Sequence, residues 1–210
     1  MHSQTYRRFE TQFSDRLLVE DGRTPVVLID RHMADLAADA VVIDNSRALC
    51  DIVRCLIGEG HRRVGLITGR QSLSTGQERY RGYRDALAEA KLPYEPQLVV
   101  STNFGEEGGY CAAGRLLSLD QPPTAIFARN NLRGLRLLRA LHERGLACPD
   151  DIAMACFDDF DCAEVSQPRL TTVAQPTRAI GRQVILLLLE CLRDPLVRGL
   201  PPRLVRLRML

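Results

Sequence analysis

The sequence predicts an α/β fold built from parallel sheets flanked by helices. Three observations predict it. Short apolar runs of strand length alternate with longer stretches whose apolar residues recur at helical spacing. Glycine, proline, aspartate and asparagine mark the junctions between them. The 210 residues are 45% apolar and 26% charged, an ordinary balance for a globular chain with one large core or two smaller ones.

Residues 26–29 (VVLI), bounded by Pro25 and by Asp30-Arg31, read as a buried strand, and residues 41–43, ending in Asp44-Asn45, as a second. Leu49, Ile52, Val53, Leu56 and Ile57 then mark one face of a helix that Gly60 ends. Val64–Thr68 is the next strand. Ser74-Thr75-Gly76-Gln77 has capping-box spacing and predicts a helix start, with Tyr80, Tyr83, Leu87 and Ala90 as the apolar stripe. Strands follow at residues 98–100, 125–128, 152–157 and 170–173, interleaved with helices at 106–119 and 132–144, the latter closed by Gly145. A helix over residues 180–192 and an alternating strand over 204–209 complete the order.

Composition narrows the function classes. A net charge of +2 gives no bulk drive toward nucleic acid or anionic membrane. Lys91 is the only lysine among 28 basic residues, a compositional habit before it is a signal. The seven cysteines are odd in number, show no C-x-x-C spacing and mostly sit in apolar runs, which reads as reduced thiols in a cytoplasmic protein rather than a metal or disulfide framework. The polar, basic residues 1–11 are not read as a secretory signal, and the apolar stretch 184–189 is too short to span a bilayer. No P-loop, G-x-S-x-G or H-E-x-x-H motif is present, no nucleophile–base set stands out, and no cofactor is implied. His61 reads as a structural histidine near a helix end.

Right-handed crossovers bring the carboxyl ends of parallel strands to one edge, where ligands of such sheets bind. Four loops at that edge carry polar or aromatic residues. The loop 69–79 offers Ser72, Ser74, Thr75 and a helix start, with Arg79 one turn in. From the loop alone, a capped helix with a solvated arginine is the plainer reading. Asn103-Phe104 can stack on a ligand or cover the core. Asn130-Asn131 can cap a helix or offer a donor and an acceptor. Asp158-Asp159-Phe160-Asp161, with Glu164, can hold ligand hydroxyls, form an acidic turn or, third in order, hold a metal. The spacing does not match a calcium loop.

Taken together, residues 24–31 (TPVVLIDR), 41–45 (VVIDN), 56–69, 74–93, 122–131, 138–160 and 168–176 (PRLTTVAQP) resemble the LacI/GalR family of transcriptional regulators in order, spacing and content. The resemblance implies a two-lobed, periplasmic-binding-protein-like effector domain that is not an enzyme. By it, residues 1–60 and 175–198 form a partial N-terminal lobe, and 61–174 with 199–210 the C-terminal lobe. Carried over by position, Thr75, Arg79, Phe104, Asn130, Asp158 and Gln175 are the ligand contacts. The implied partner is a small-molecule effector, a sugar, sugar acid or nucleobase. Operator DNA is expected only through a helix-turn-helix that the resemblance does not reach in this sequence, and no membrane is expected. A shortened first lobe is expected to leave 26–29 as an exposed edge. Arg133 and Arg136, on a helix near the family's dimer seam, put dimerisation in doubt, and Cys156 replaces a customary glycine. Two other function classes compete: a stand-alone sugar-binding protein, and an enzyme using Asp158, Asp159 and Asp161.

Overall fold

A computed structural model of the chain describes residues 24–33, 36–102, 108–159, 170–194 and 201–207. They form two compact units, one drawn from Met1–Ile43 and Pro176–Arg208, the other from Asp44–Gln175.

The second unit holds a five-stranded sheet of order β4-β3-β5-β6-β7, every neighbouring pair parallel. Its strands are β3 (Val64–Thr68), β4 (Val99–Ser101), β5 (Ala125–Ala128), β6 (Ala153–Phe157) and β7 (Thr171–Val173). Every residue of β3, β5 and β6 is buried, so these runs, apolar but for Thr68, show no alternation, as a sheet covered on both faces requires. Ile67, Ile126, Ala128, Met154 and Cys156 pack with Ala112, Ala113, Leu116, Leu137, Ala140 and Leu141 in one cluster. That cluster fixes α3 (Gly108–Leu117) and α4 (Asn131–His142) on one face. The alternate residues Leu66, Phe127 and Phe157, also fully buried, point to the opposite face. On that face lies α2 (Ser74–Glu89), whose Tyr83 hydroxyl donates to the Val64 carbonyl at 2.8 Å. Burial pushes the Tyr83 phenol well above its ordinary value.

Helix α1 (Asn45–Gly58) lies against α2. At Gly82 the helices come so near that a Cβ would stand 2.1 Å from the Ser46 carbonyl oxygen. This packing draws α1 into the second unit, so the division falls between Ile43 and Asp44 rather than at the expected Gly60.

The first unit holds a parallel sheet of order β1-β2-β8, from β1 (Val27–Ile29), β2 (Asp39–Ile43) and β8 (Leu204–Leu207), with α5 (Thr177–Arg193) packed on β1 and β2. The final strand therefore joins β2, which corrects its expected placement in the second lobe. Asp39 sets the pairing: its carboxylate accepts from the Arg203 backbone N–H at 2.7 Å and from the guanidinium at 2.6 Å. Glu190 of α5 takes another guanidinium hydrogen at 2.6 Å, and the two carboxylates raise the Arg203 pKa. Among the described residues β1 is an edge strand with Ile29 54% exposed, and α5 turns Ile185, Leu186, Leu189 and Leu192 outward.

Candidate ligand-binding site

Because all five strands of the second unit are parallel, Thr68, Ser101, Ala128, Phe157 and Val173 end along one edge. The loop after β3 delivers α2 to that edge. The helix starts at Ser74 as expected, but Leu73 is the N-cap and no side chain caps it, so the capping box does not form. A tightly folded loop takes its place. The Leu73 N–H donates to the Arg70 carbonyl at 3.2 Å, and the Gln77 amide donates to the Gln71 carbonyl at 2.8 Å. A Cβ at Gly76 would lie 2.3 Å from the Arg70 oxygen, so only glycine fits there. This loop buries Thr75 and Arg79, one turn apart on one helix face.

Arg79 is not a solvated arginine; it is 8% exposed. Its Nε donates to Asn45 Oδ1 at 2.8 Å and one terminal nitrogen to the Arg129 carbonyl at 2.7 Å. The guanidinium carbon sits 3.5 Å from the centroid of the Phe157 ring. Two directional bonds and a stacked face fix the plane of the group. Through Arg129 it reaches the end of β5, and through Phe157 the end of β6.

Asn45 is the site residue that sequence reasoning passed over. It is fully buried, and its Nδ2 donates to Glu78 Oε2 at 3.2 Å. A signal existed. Asp44 already caps α1 by accepting from the Arg47 N–H at 3.1 Å, so an asparagine one residue further on has no capping task left.

Asn130 follows β5 and caps α4, its Oδ1 accepting from the Arg133 N–H at 3.1 Å. The capping reading therefore holds for the oxygen, while Nδ2 has no partner among the described residues. Asp158 follows β6 in the left-handed region, at φ 69°. Its N–H donates to the Val173 carbonyl at 3.1 Å, tying it to β7. Its Oδ1 accepts from Gln175 Nε2 at 2.5 Å. Asp159 turns away and accepts from the Thr172 hydroxyl at 3.3 Å. Asn130 and Asp158 thus follow the ends of neighbouring strands, Gln175 is bound to Asp158, and Arg79 reaches the residues just before both through the Arg129 carbonyl and the Phe157 ring, with Thr75 a turn before it. Phe104 lies outside the described residues, as do Asn103, Phe160, Asp161 and Glu164. Among the described residues no three His, Cys, Asp or Glu side chains gather as a metal site would, and no helix is long and apolar enough to cross a membrane.

Beneath this edge, burial and then the charges of Asp158 and Asp159 push the Cys156 thiol up to about 12. A raised thiol pKa keeps the group protonated, hence unreactive, throughout the neutral range. Treatment of the native protein with iodoacetamide at pH 8 is expected to modify the exposed Cys55 and Cys111 and to spare Cys156 until the chain unfolds. Peptide mass mapping reads the result, and native modification of Cys156 would contradict it. On α4, Arg133 is 3% exposed, and burial lowers its pKa. It is therefore packed inward rather than presented at a seam, with a Cβ at Gly109 of α3 only 3.0 Å from its Cα.

A doubly covered parallel sheet with an arginine, a carboxylate and two amides along its carboxyl edge defines an α/β domain of the periplasmic-binding-protein type. Residues 53–206 match the model for the periplasmic binding protein-like domain, and the chain belongs to that family. Its relatives are repressors of the LacI type. It is 36% identical over 174 residues to the HTH-type transcriptional repressor CytR of Escherichia coli K12, covering 82% of this chain and 51% of the relative. It is 32% identical over 171 residues to the ribose operon repressor of Haemophilus influenzae, covering 81% and 52%. Among solved structures, the transcriptional regulator CelR–cellobiose complex superposes with a TM-score of 0.79 at 33% identity, covering 88% of this chain and 56% of that one. The chain thus spans about half the length of the curated relatives it matches.

Proposed function

We propose that this chain is the effector-sensing part of a LacI-type transcriptional regulator acting in the cytoplasm. A small polar molecule, a sugar, sugar acid or nucleobase, binds at the carboxyl edge of the second unit's sheet. Arg79, Asn130 and Asp158 contact it directly, with Thr75 and Gln175 beside them. Binding favours one conformation of the regulator and so changes its hold on operator DNA. DNA contact belongs to a helix-turn-helix segment, as in the HTH-type repressor CytR. The observation that carries this reading is the buried Arg79, held by Asn45 and Arg129 and stacked on Phe157, the residue before Asp158. The cellobiose complex of CelR supports a sugar-class ligand. Six free cysteines among the described residues support a reducing compartment.

A thermal-shift screen of sugars, sugar acids and nucleobases tests it. A true ligand at a hundred times its Kd stabilises the native state by about 2.7 kcal/mol. Arg79→Ala and Asp158→Ala are each expected to remove that shift. A shift retained in both variants dismisses the assignment.

A further inference from the structure

We propose that Asn45 is a positioning residue for Arg79, orienting its guanidinium without adding a charge to it. The inference rests on Arg79 being a ligand contact. Four observations carry it. Asn45 is fully buried and opens α1, two residues past the point where the chain leaves the first unit. Asp44 performs the capping of α1, so the Asn45 side chain is available for another partner. Its amide forms a directed relay: Nδ2 donates to Glu78 Oε2 at 3.2 Å, and Oδ1 accepts from Arg79 Nε at 2.8 Å. Glu78, an acceptor only, determines which end of the amide faces Arg79.

The choice of an amide has a physical consequence. An aspartate here would hold Arg79 equally close but would place a second carboxylate against Glu78 and cancel part of the guanidinium's field at the sheet edge. An amide carbonyl orients and leaves that field to the ligand. The same device recurs at the other end of the unit's chain. Gln175, its last residue before the chain returns to the first unit, fixes Asp158 by donating from its amide at 2.5 Å. The span Asp44–Gln175 of the second unit therefore carries, near each of its ends, a neutral amide that orients one charged group, Arg79 at the first and Asp158 at the second.

The test is made on the ligand-free chain by following the Arg79 Nε–H in proton–nitrogen NMR spectra, with Arg79→Lys identifying the signal. Asn45→Leu is expected to speed exchange of that proton with water by about tenfold or more, the loss of one hydrogen bond to a charged group. Paired Asn45→Asp and Glu78→Gln substitutions, which reverse the relay while keeping both bonds and the total charge, are expected to restore slow exchange. Unchanged exchange in a folded Asn45→Leu variant overturns the proposal. Should Asn45→Leu not fold, Asn45→Asp decides: a carboxylate in contact with Nε moves the signal downfield, and an unmoved signal overturns the proposal. Since no ligand is present, this result can fail while Arg79→Ala still removes ligand stabilisation, and the converse, so the two readings stand or fall separately.

Discussion

Gly82→Ala is expected to destabilise the second unit by about 3 kcal/mol, at the upper end of the cost of overpacking. The added methyl would lie 2.1 Å from the Ser46 carbonyl oxygen, 2.9 Å from its carbon and 3.1 Å from the Cys50 nitrogen. All three are backbone atoms of α1, so no rotamer change relieves the clash and the helix itself must retreat. The gain of about 1 kcal/mol from replacing glycine within a helix offsets only part of this. Gly181 of α5 is the control, because a Cβ there meets nothing within 4 Å. Gly181→Ala should therefore gain stability while Gly82→Ala loses it, as urea unfolding would measure. Equal melts would mean that α1 and α2 do not approach this closely. Any retreat of α1 also withdraws Asn45 from Arg79, so the variant should weaken ligand stabilisation beyond its effect on folding.

Phe157→Ala is expected to cost about 3–5 kcal/mol, as for a fully buried aromatic. The ring meets Phe127 edge-on at 6.5 Å and 81°, and its face carries the Arg79 guanidinium at 3.5 Å. Truncation therefore opens a cavity and leaves a buried cation over it. Phe157→Leu separates the two effects. It keeps most of the apolar volume, so the folding cost falls to about 1 kcal/mol, as for volume-conserving swaps. It still removes the ring quadrupole, worth about 2 kcal/mol to a desolvated cation. A folded Phe157→Leu protein that keeps full ligand stabilisation would mean that the aromatic platform is dispensable.

The sheet of the second unit was legible in the sequence because its strands are buried on both faces. Val64–Thr68 and Ala125–Ala128 are short runs without in–out alternation, and the sequence places both at the observed bounds. The rule that ligands gather at carboxyl ends then picked out the loops that hold Arg79, Asn130 and Asp158. Three things were not legible, each for a physical reason. Leu204–Leu207 alternates as a strand should, but its partner is chosen by an ion pair between Asp39 and Arg203, 164 residues apart. Local pattern carries no trace of that. Ser74–Gln77 has capping spacing, yet Leu73 is the N-cap and no side chain caps the helix, so the start falls at Ser74 without the box that announced it. The burial of Arg79 depends on Asn45 and Phe157, which are distant in sequence, whereas spacing alone describes an arginine on a surface helix.

The pairing of β8 with β2 has a consequence for the order in which the molecule is made. The second unit runs without interruption from Asp44 to Gln175, so the ribosome releases everything its sheet requires well before synthesis ends. The first unit draws its strands from both sides of that span, and its apolar strand β2 lacks one neighbour until Leu204–Leu207 emerges. Nascent chains stalled once Val173 has cleared the ribosome, with Leu204–Leu207 still inside it, should already protect β3, β5 and β6 from proteases while β2 remains open to cleavage or to chaperones.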